Sequence, residues 1–162
     1  MTSASKAFNL TGLKHSLLIT ENPALRKACR AGQGRNNMYY GGSTFGQIAT
    51  EVAFRECDEW SDQLMQYVEG NFDFARNAIE VTLPEAVCYR PQSTYFLWLD
   101  LTAYGLQPEA LLAHFEERVQ IMVTSGHSLG TGGSGHIRLN LGCPRSVLAQ
   151  GLERIAAAGL PL

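Results

Sequence analysis

The sequence predicts a mixed α/β chain in which long helices lead into a small α+β unit, and three patterns predict it. Phe45, Ile48, Ala49, Val52 and Ala53 recur at helical spacing, as do Trp60, Leu64, Tyr67, Val68, Asn71, Ala75, Ala78 and Ile79. Beyond Pro84, strand-like and helix-like segments alternate. Within residues 136–141, apolar Ile137, Leu139 and Leu141 alternate with polar His136, Arg138 and Asn140. That period of two belongs to a strand with one buried face.

The elements follow in order. His15 to Thr20 (His-Ser-Leu-Leu-Ile-Thr) reads as a short buried strand. Asn22-Pro23 opens a helix to about Gly32, with proline suited to the first helical turn. Gly32 to Ser43 is a loop rich in glycine, asparagine and tyrosine. Thr44-x-x-Gln47 matches a capping box and starts a helix that ends near Cys57. The next helix runs from about Trp60 to Thr82 and is stopped by Pro84, a length of roughly 35 Å that suits a bridge between domains. Strands are expected at 86–90, 94–101, 119–123 and 136–141, and helices from Pro108 and from Pro144. The expected division is 1–58, then an interdomain helix at 59–83, then a small α+β domain at 84–162.

The bulk properties exclude several classes. The 162 residues are 45% hydrophobic and 17% charged, with a net charge of -2. No basic run argues for nucleic acid or an anionic membrane surface. No apolar stretch approaches the ~20 residues that span a bilayer. Cys29, Cys57, Cys88 and Cys143 are scattered, without a C-x-x-C pair, and read as free thiols of a cytoplasmic protein. The four histidines show no metal-ligand spacing, and the glycine runs fit neither a Walker loop nor a dinucleotide fingerprint.

Two residues stand out for chemistry. Lys6 lies in Ser3-Ala4-Ser5-Lys6-Ala7-Phe8-Asn9-Leu10-Thr11-Gly12-Leu13. A lysine amine that joins a carbonyl becomes a covalent catalyst, and once released it becomes a base. Ser3 and Ser5 offer hydroxyls to a phosphate, and Lys14 adds positive charge. On composition alone, Lys6 reads as a solvated lysine in a polar tail; the many specified positions of the whole string reverse that reading. Arg138 is the second. Its planar fork suits a carboxylate, because it donates two parallel hydrogen bonds. The alternative is a surface arginine on an edge strand. Upstream of it, glycines at 126, 130, 132, 133 and 135 let backbone approach a ligand closely, or form a connection without function. Tyr39, Tyr40 and Asn36 or Asn37 either line a site or pack locally. Cys143 has no base beside it.

The Lys6 segment resembles the cofactor-lysine region of the fold-type I pyridoxal-phosphate enzymes, class I/II aminotransferases. Ser-Ala-Ser-Lys-Ala-Phe-Asn and Pro91-Gln92-Ser93-Thr94-Tyr95-Phe96-Leu97-Trp98-Leu99-Asp100 resemble the cystathionine β-lyase (cysteine-S-conjugate β-lyase) branch. Gly135 to Arg145 resembles the carboxylate-arginine strand of the family and the start of its last helix.

The resemblance implies the C-terminal part of the pyridoxal-phosphate-dependent transferase fold: the end of a large domain, an interdomain helix and a small C-terminal domain. It implies pyridoxal 5'-phosphate held by Lys6, with Ser3, Ser5 and Lys14 around the phosphate and Arg138 on the substrate carboxylate. It implies a carbon–sulfur β-lyase acting on a thioether amino acid, with an aminotransferase or a non-catalytic, dimerising remnant as alternatives. A homodimer is implied, with residues 34–43 at its interface. Only five residues precede Lys6, whereas family members carry a long N-terminal part. The chain is therefore expected to be the C-terminal half of an enzyme, and to be inactive by itself.

Overall fold

The computed structural model describes residues 1–38 and 43–161. They form two compact units, Met1–Leu64 and Met65–Leu162. The division falls inside one long helix, and each unit is taken by itself.

The first unit opens on a turn. Ala4 O accepts the Phe8 N–H and Ser5 O accepts the Leu10 N–H, both at 3.0 Å. Thr2 and Leu17 exchange backbone hydrogen bonds of 2.9 and 2.8 Å. That single bridge is all that forms of the strand expected at His15 to Thr20. A ladder needs a neighbour for every second N–H and C=O. Without one, Leu18 and Ile19 lie exposed rather than buried.

Helix α1 (Pro23–Arg35) starts where proline predicts, and Asn22 Oδ1 accepts the N–H groups of Ala24 and Leu25 at 2.9 and 3.1 Å. It continues past the expected end at Gly32 and buries none of its residues. Helix α2 (Thr44–Glu56) is capped by Ser43, whose hydroxyl accepts the Gly46 N–H at 3.2 Å. The capping box expected at Thr44 and Gln47 is thus displaced by one residue, and Thr44 is already helical. Of the expected loop, Tyr39 and Tyr40 lie outside the described residues.

Two contacts seat the turn on α2. A Cβ at Gly46 would lie 2.8 Å from both His15 Cβ and Leu13 O, so only glycine admits this approach. Phe8 meets Phe54 edge-on at 5.5 Å and stacks over Trp60 at 6.1 Å. Such aromatic pairs add about 1 kcal/mol beyond their area.

Helix α3 (Asp58–Thr82) carries the unit boundary. The second unit holds a four-stranded antiparallel sheet of β1 (Val87–Tyr89), β2 (Phe96–Asp100), β3 (Thr124–Ser125) and β4 (His136–Asn140), in the order β1-β2-β4-β3. Ile137 and Leu139 point into the core, as the alternation predicts, and Leu97 and Leu99 of β2 are buried beside them. Phe72, Ala75 and Ile79 of α3 and Leu148, Leu152 and Ile155 of α5 (Arg145–Ala158) belong to the same core. Each large side chain fully buried there stabilises by about 1.5–3 kcal/mol.

The strand expected at 119–123 is not where it was placed. Helix α4 (Pro108–Ala113) runs on as a π-helical turn, His114–Val119, which ends at Gln120 in left-handed backbone. Leu111, Phe115 and Val119 are four apart, and all three are buried. They continue the helical stripe, and burial of that stripe outweighs the strand propensity of Val119 to Val123. Only Thr124 and Ser125 pair with β4.

Candidate functional site

In the first unit the turn presents Lys6 as an exposed residue, with Ser3 and Ser5 just before it. Ser3 Oγ donates to His15 O at 3.0 Å and accepts the Ser5 N–H at 3.0 Å. It also shares a hydrogen bond with Ser5 Oγ. Because the Ser3 proton goes to His15, the Ser5 hydroxyl donates to Ser3. The predicted pair is therefore brought together, with its protons directed inward. His15 Nδ1 lies 2.9 Å from Thr50 Oγ1, which ties the segment to α2. Lys14 adopts left-handed backbone, φ 50°, at the end of the short turn Thr11–Leu13.

In the second unit Arg138 stands on the non-core face of β4, between Trp98 of β2 and Thr124 of β3. Its guanidinium carbon is 4.2 Å from the centre of the Phe96 ring. Nη2 donates to Thr124 Oγ1 at 3.2 Å, and Nε is buried without a hydrogen-bond partner among the described residues. Among the described residues no carboxylate pairs with it. Arg138 is thus a partly buried cation with one neutral acceptor among the described residues. This is not the surface arginine of the alternative reading.

The same face carries a second polar group. His136 stacks on Trp98 at 5.2 Å, donates from Nδ1 to Ser134 O at 2.9 Å, and places Nε2 3.5 Å from Asp100 Oδ2. Burial alone would raise the Asp100 pKa. Hydrogen bonds from the Thr102 hydroxyl and N–H, the nearby His136 and the Tyr89 hydroxyl outweigh it and hold the carboxyl below its ordinary value.

The glycine loop folds on itself. A Cβ at Gly126 would lie 2.4 Å from Gly133 O, and one at Gly133 would lie 2.0 Å from Gly126 O. Those two glycines serve backbone-to-backbone closure, which differs from the expected approach to a ligand. The cysteines are all free. Burial pushes the Cys88 thiol up to about 11 and raises Cys143 as well. Burial thus opposes the thiolate form of both. No group of described residues could hold a metal ion.

Sequence reasoning did not single out Phe96, Thr124 or Asn71 for these contacts. Asn71, placed on the apolar side of α3, is fully buried and donates to Leu141 O at 2.7 Å and to Cys143 O at 3.0 Å, while its Oδ1 accepts from Arg145 Nε. A polar residue in a helical apolar stripe was the available signal for a buried hydrogen-bond node.

The candidate groups are an exposed lysine with a hydroxyl pair just before it in the first unit, and a partly buried arginine in the second. The chain belongs to the family Aminotransferase class I and II, whose profile matches residues 1–155. It is 35% identical over 155 residues to cystathionine beta-lyase PatB of Bacillus subtilis, which covers 95% of this chain and 40% of PatB. It is 33% identical over 159 residues to protein MalY of Escherichia coli, covering 98% of this chain and 40% of MalY. Among solved structures, cystalysin of Treponema denticola, which contains pyridoxal 5'-phosphate, superposes with a TM-score of 0.87 at 31% identity, over 97% of this chain and 40% of that one. The chain thus has part of the pyridoxal-phosphate-dependent transferase fold and spans about 40% of the length of these relatives. No helix among the described residues is long and apolar enough to cross a membrane.

The donor set is of a kind that could hold that cofactor: Lys6 could offer an amine to its aldehyde, and Ser3, Ser5 and Lys14 could offer hydroxyls and a cation to its phosphate. The serine pair would serve after rotation of its hydroxyls.

Proposed function

We propose that the chain contributes the cofactor lysine and the carboxylate arginine of a pyridoxal-phosphate-dependent carbon–sulfur β-lyase acting on a thioether amino acid. The observation that carries this is Arg138, a partly buried guanidinium with an aromatic ring against one face, a single neutral acceptor and an unpaired Nε–H. Pyridoxal phosphate supplies, when bound, a ring that takes up negative charge as a proton leaves the amino-acid Cα. Arg138 holds the α-carboxylate and so fixes which Cα bond is presented. Lys6 Nζ takes the Cα proton. Ser3, Ser5 and Lys14 hold the phosphate end, so that Lys6 and the reacting carbon keep their spacing. Lysine at 14 provides charge without the two-pronged fork of arginine.

The name of PatB favours the lyase, and the family description favours a second reading, transamination, for which the same two residues serve. The two readings differ in product. With pyridoxal phosphate and a thioether amino acid such as cystathionine, the lyase releases thiol and pyruvate in equal amounts. Transamination instead consumes an added keto acid and releases no thiol. Arg138→Gln should lower kcat/KM by at least about 100-fold, because an uncompensated carboxylate loses a charge-assisted pair of hydrogen bonds. Turnover unaffected by that substitution would defeat the assignment. Turnover is proposed for the protein at the length of its relatives, and for the 162-residue chain we propose the two contacts without turnover.

A further inference from the structure

We propose that Thr124 and Phe96 are positioning residues for Arg138, and that they aim its fork at the substrate carboxylate. The proposal rests on the carboxylate reading of Arg138 given above. An arginine on an open sheet face has several rotatable bonds and no preferred heading. Here two neighbours remove that freedom. The Phe96 ring lies 4.2 Å from the guanidinium carbon and fixes the plane of the group. The Thr124 hydroxyl, 3.2 Å from Nη2, fixes its rotation within that plane.

The register explains why these residues serve. Thr124 lies directly opposite Arg138 on β3, and Phe96 lies two residues from Trp98, which faces Arg138 on β2. Strand β3 has only two residues, and its contribution to this face is Thr124. Accepting from Nη2 leaves the threonine its own proton, which it can donate to a carboxylate oxygen. No carboxylate among the described residues competes for the fork, and the orphaned Nε–H lacks the acceptor that an incoming carboxylate provides.

The test is a titration of the ¹⁵N-labelled chain with propionate, followed at the Arg138 Nε–H and at the backbone amides of β3 and β4. In the unaltered chain the shifts should saturate, and Arg138→Gln should abolish them at the amides. Thr124→Val and Phe96→Leu should each weaken binding about tenfold, the effect of losing one contact to a charged group. Thr124→Ser and Phe96→Tyr, which keep the hydroxyl and the ring, should stay within about twofold. Amide dispersion outside β3 and β4 reports whether each variant folds. Should Thr124→Val not fold, Thr124→Ala carries the same comparison. Binding unchanged in Thr124→Val and Phe96→Leu but lost in Arg138→Gln would overturn the positioning role and leave the carboxylate reading standing. No saturable shift in the unaltered chain, or shifts that survive Arg138→Gln, would overturn both.

Discussion

At the scale of single residues, hydrogen-bond accounting distinguishes Asn71 from Arg138. Asn71 and Arg138 are both polar groups among apolar neighbours. The Asn71 amide is saturated by backbone carbonyls and by Arg145, whereas Arg138 keeps an unpaired Nε–H. Asn71→Ala should therefore cost about 2 kcal/mol of stability, the penalty of stranding its partners, without altering carboxylate binding. Denaturant unfolding beside the propionate titration checks both halves. Asp100 predicts a pH dependence. Its carboxyl titrates below the ordinary value, so it stabilises the fold above the ordinary carboxylate pKa, and that contribution is lost as pH falls through the lowered value. The groups facing it are Thr102, His136 and Tyr89. Thermal midpoints measured from neutral to acid pH should fall less steeply in Asp100→Asn. Arg138 was legible as a candidate because a strand period put it opposite leucines. Thr124 was not, because its pairing depends on a register across a loop that no local pattern encodes.

At the scale of elements, periodicity found the helices and the buried strand face, and it failed where a partner or a register decided the outcome. Ile137 and Leu139 were readable because every residue of β4 has a neighbour across the ladder. Residues 15–20 have strand composition but a single bridge, so the composition has nothing to pair with. The glycine loop shows the same limit. Sequence marks its glycines, while only the fold shows that Gly126 and Gly133 meet backbone to backbone. Gly126→Ala should thus destabilise by about 2 kcal/mol or more through overpacking, whereas Gly130→Ala, with nothing within 4 Å but a φ of 126°, should cost less, through backbone strain alone. Helix α2 adds a surface prediction. Phe45 and Ile48 are 76% and 56% exposed on it, which favours association. Light scattering should show concentration-dependent mass that falls in the double variant Phe45→Ser, Ile48→Ser.

At the scale of the whole molecule, most of the buried core belongs to the second unit, so stability should be uneven along the chain. Hydrogen exchange should be slowest in β2 and β4, and fast at 15–20 apart from the Leu17 amide, which Thr2 holds. Equal protection in both segments would contradict the architecture. Cofactor attachment can be read at the lysines themselves. The sequence holds three, Lys6, Lys14 and Lys27, and Lys27 in α1 serves as an internal control. The decisive measurement is peptide mapping after the chain is incubated with pyridoxal phosphate and reduced with borohydride. The reduced cofactor should be found on Lys6, at a saturable level well above Lys14 and Lys27. Equal labelling of all three lysines, or labelling of Lys14 and Lys27 unchanged in extent by Lys6→Ala and unmatched at Lys6, would contradict it.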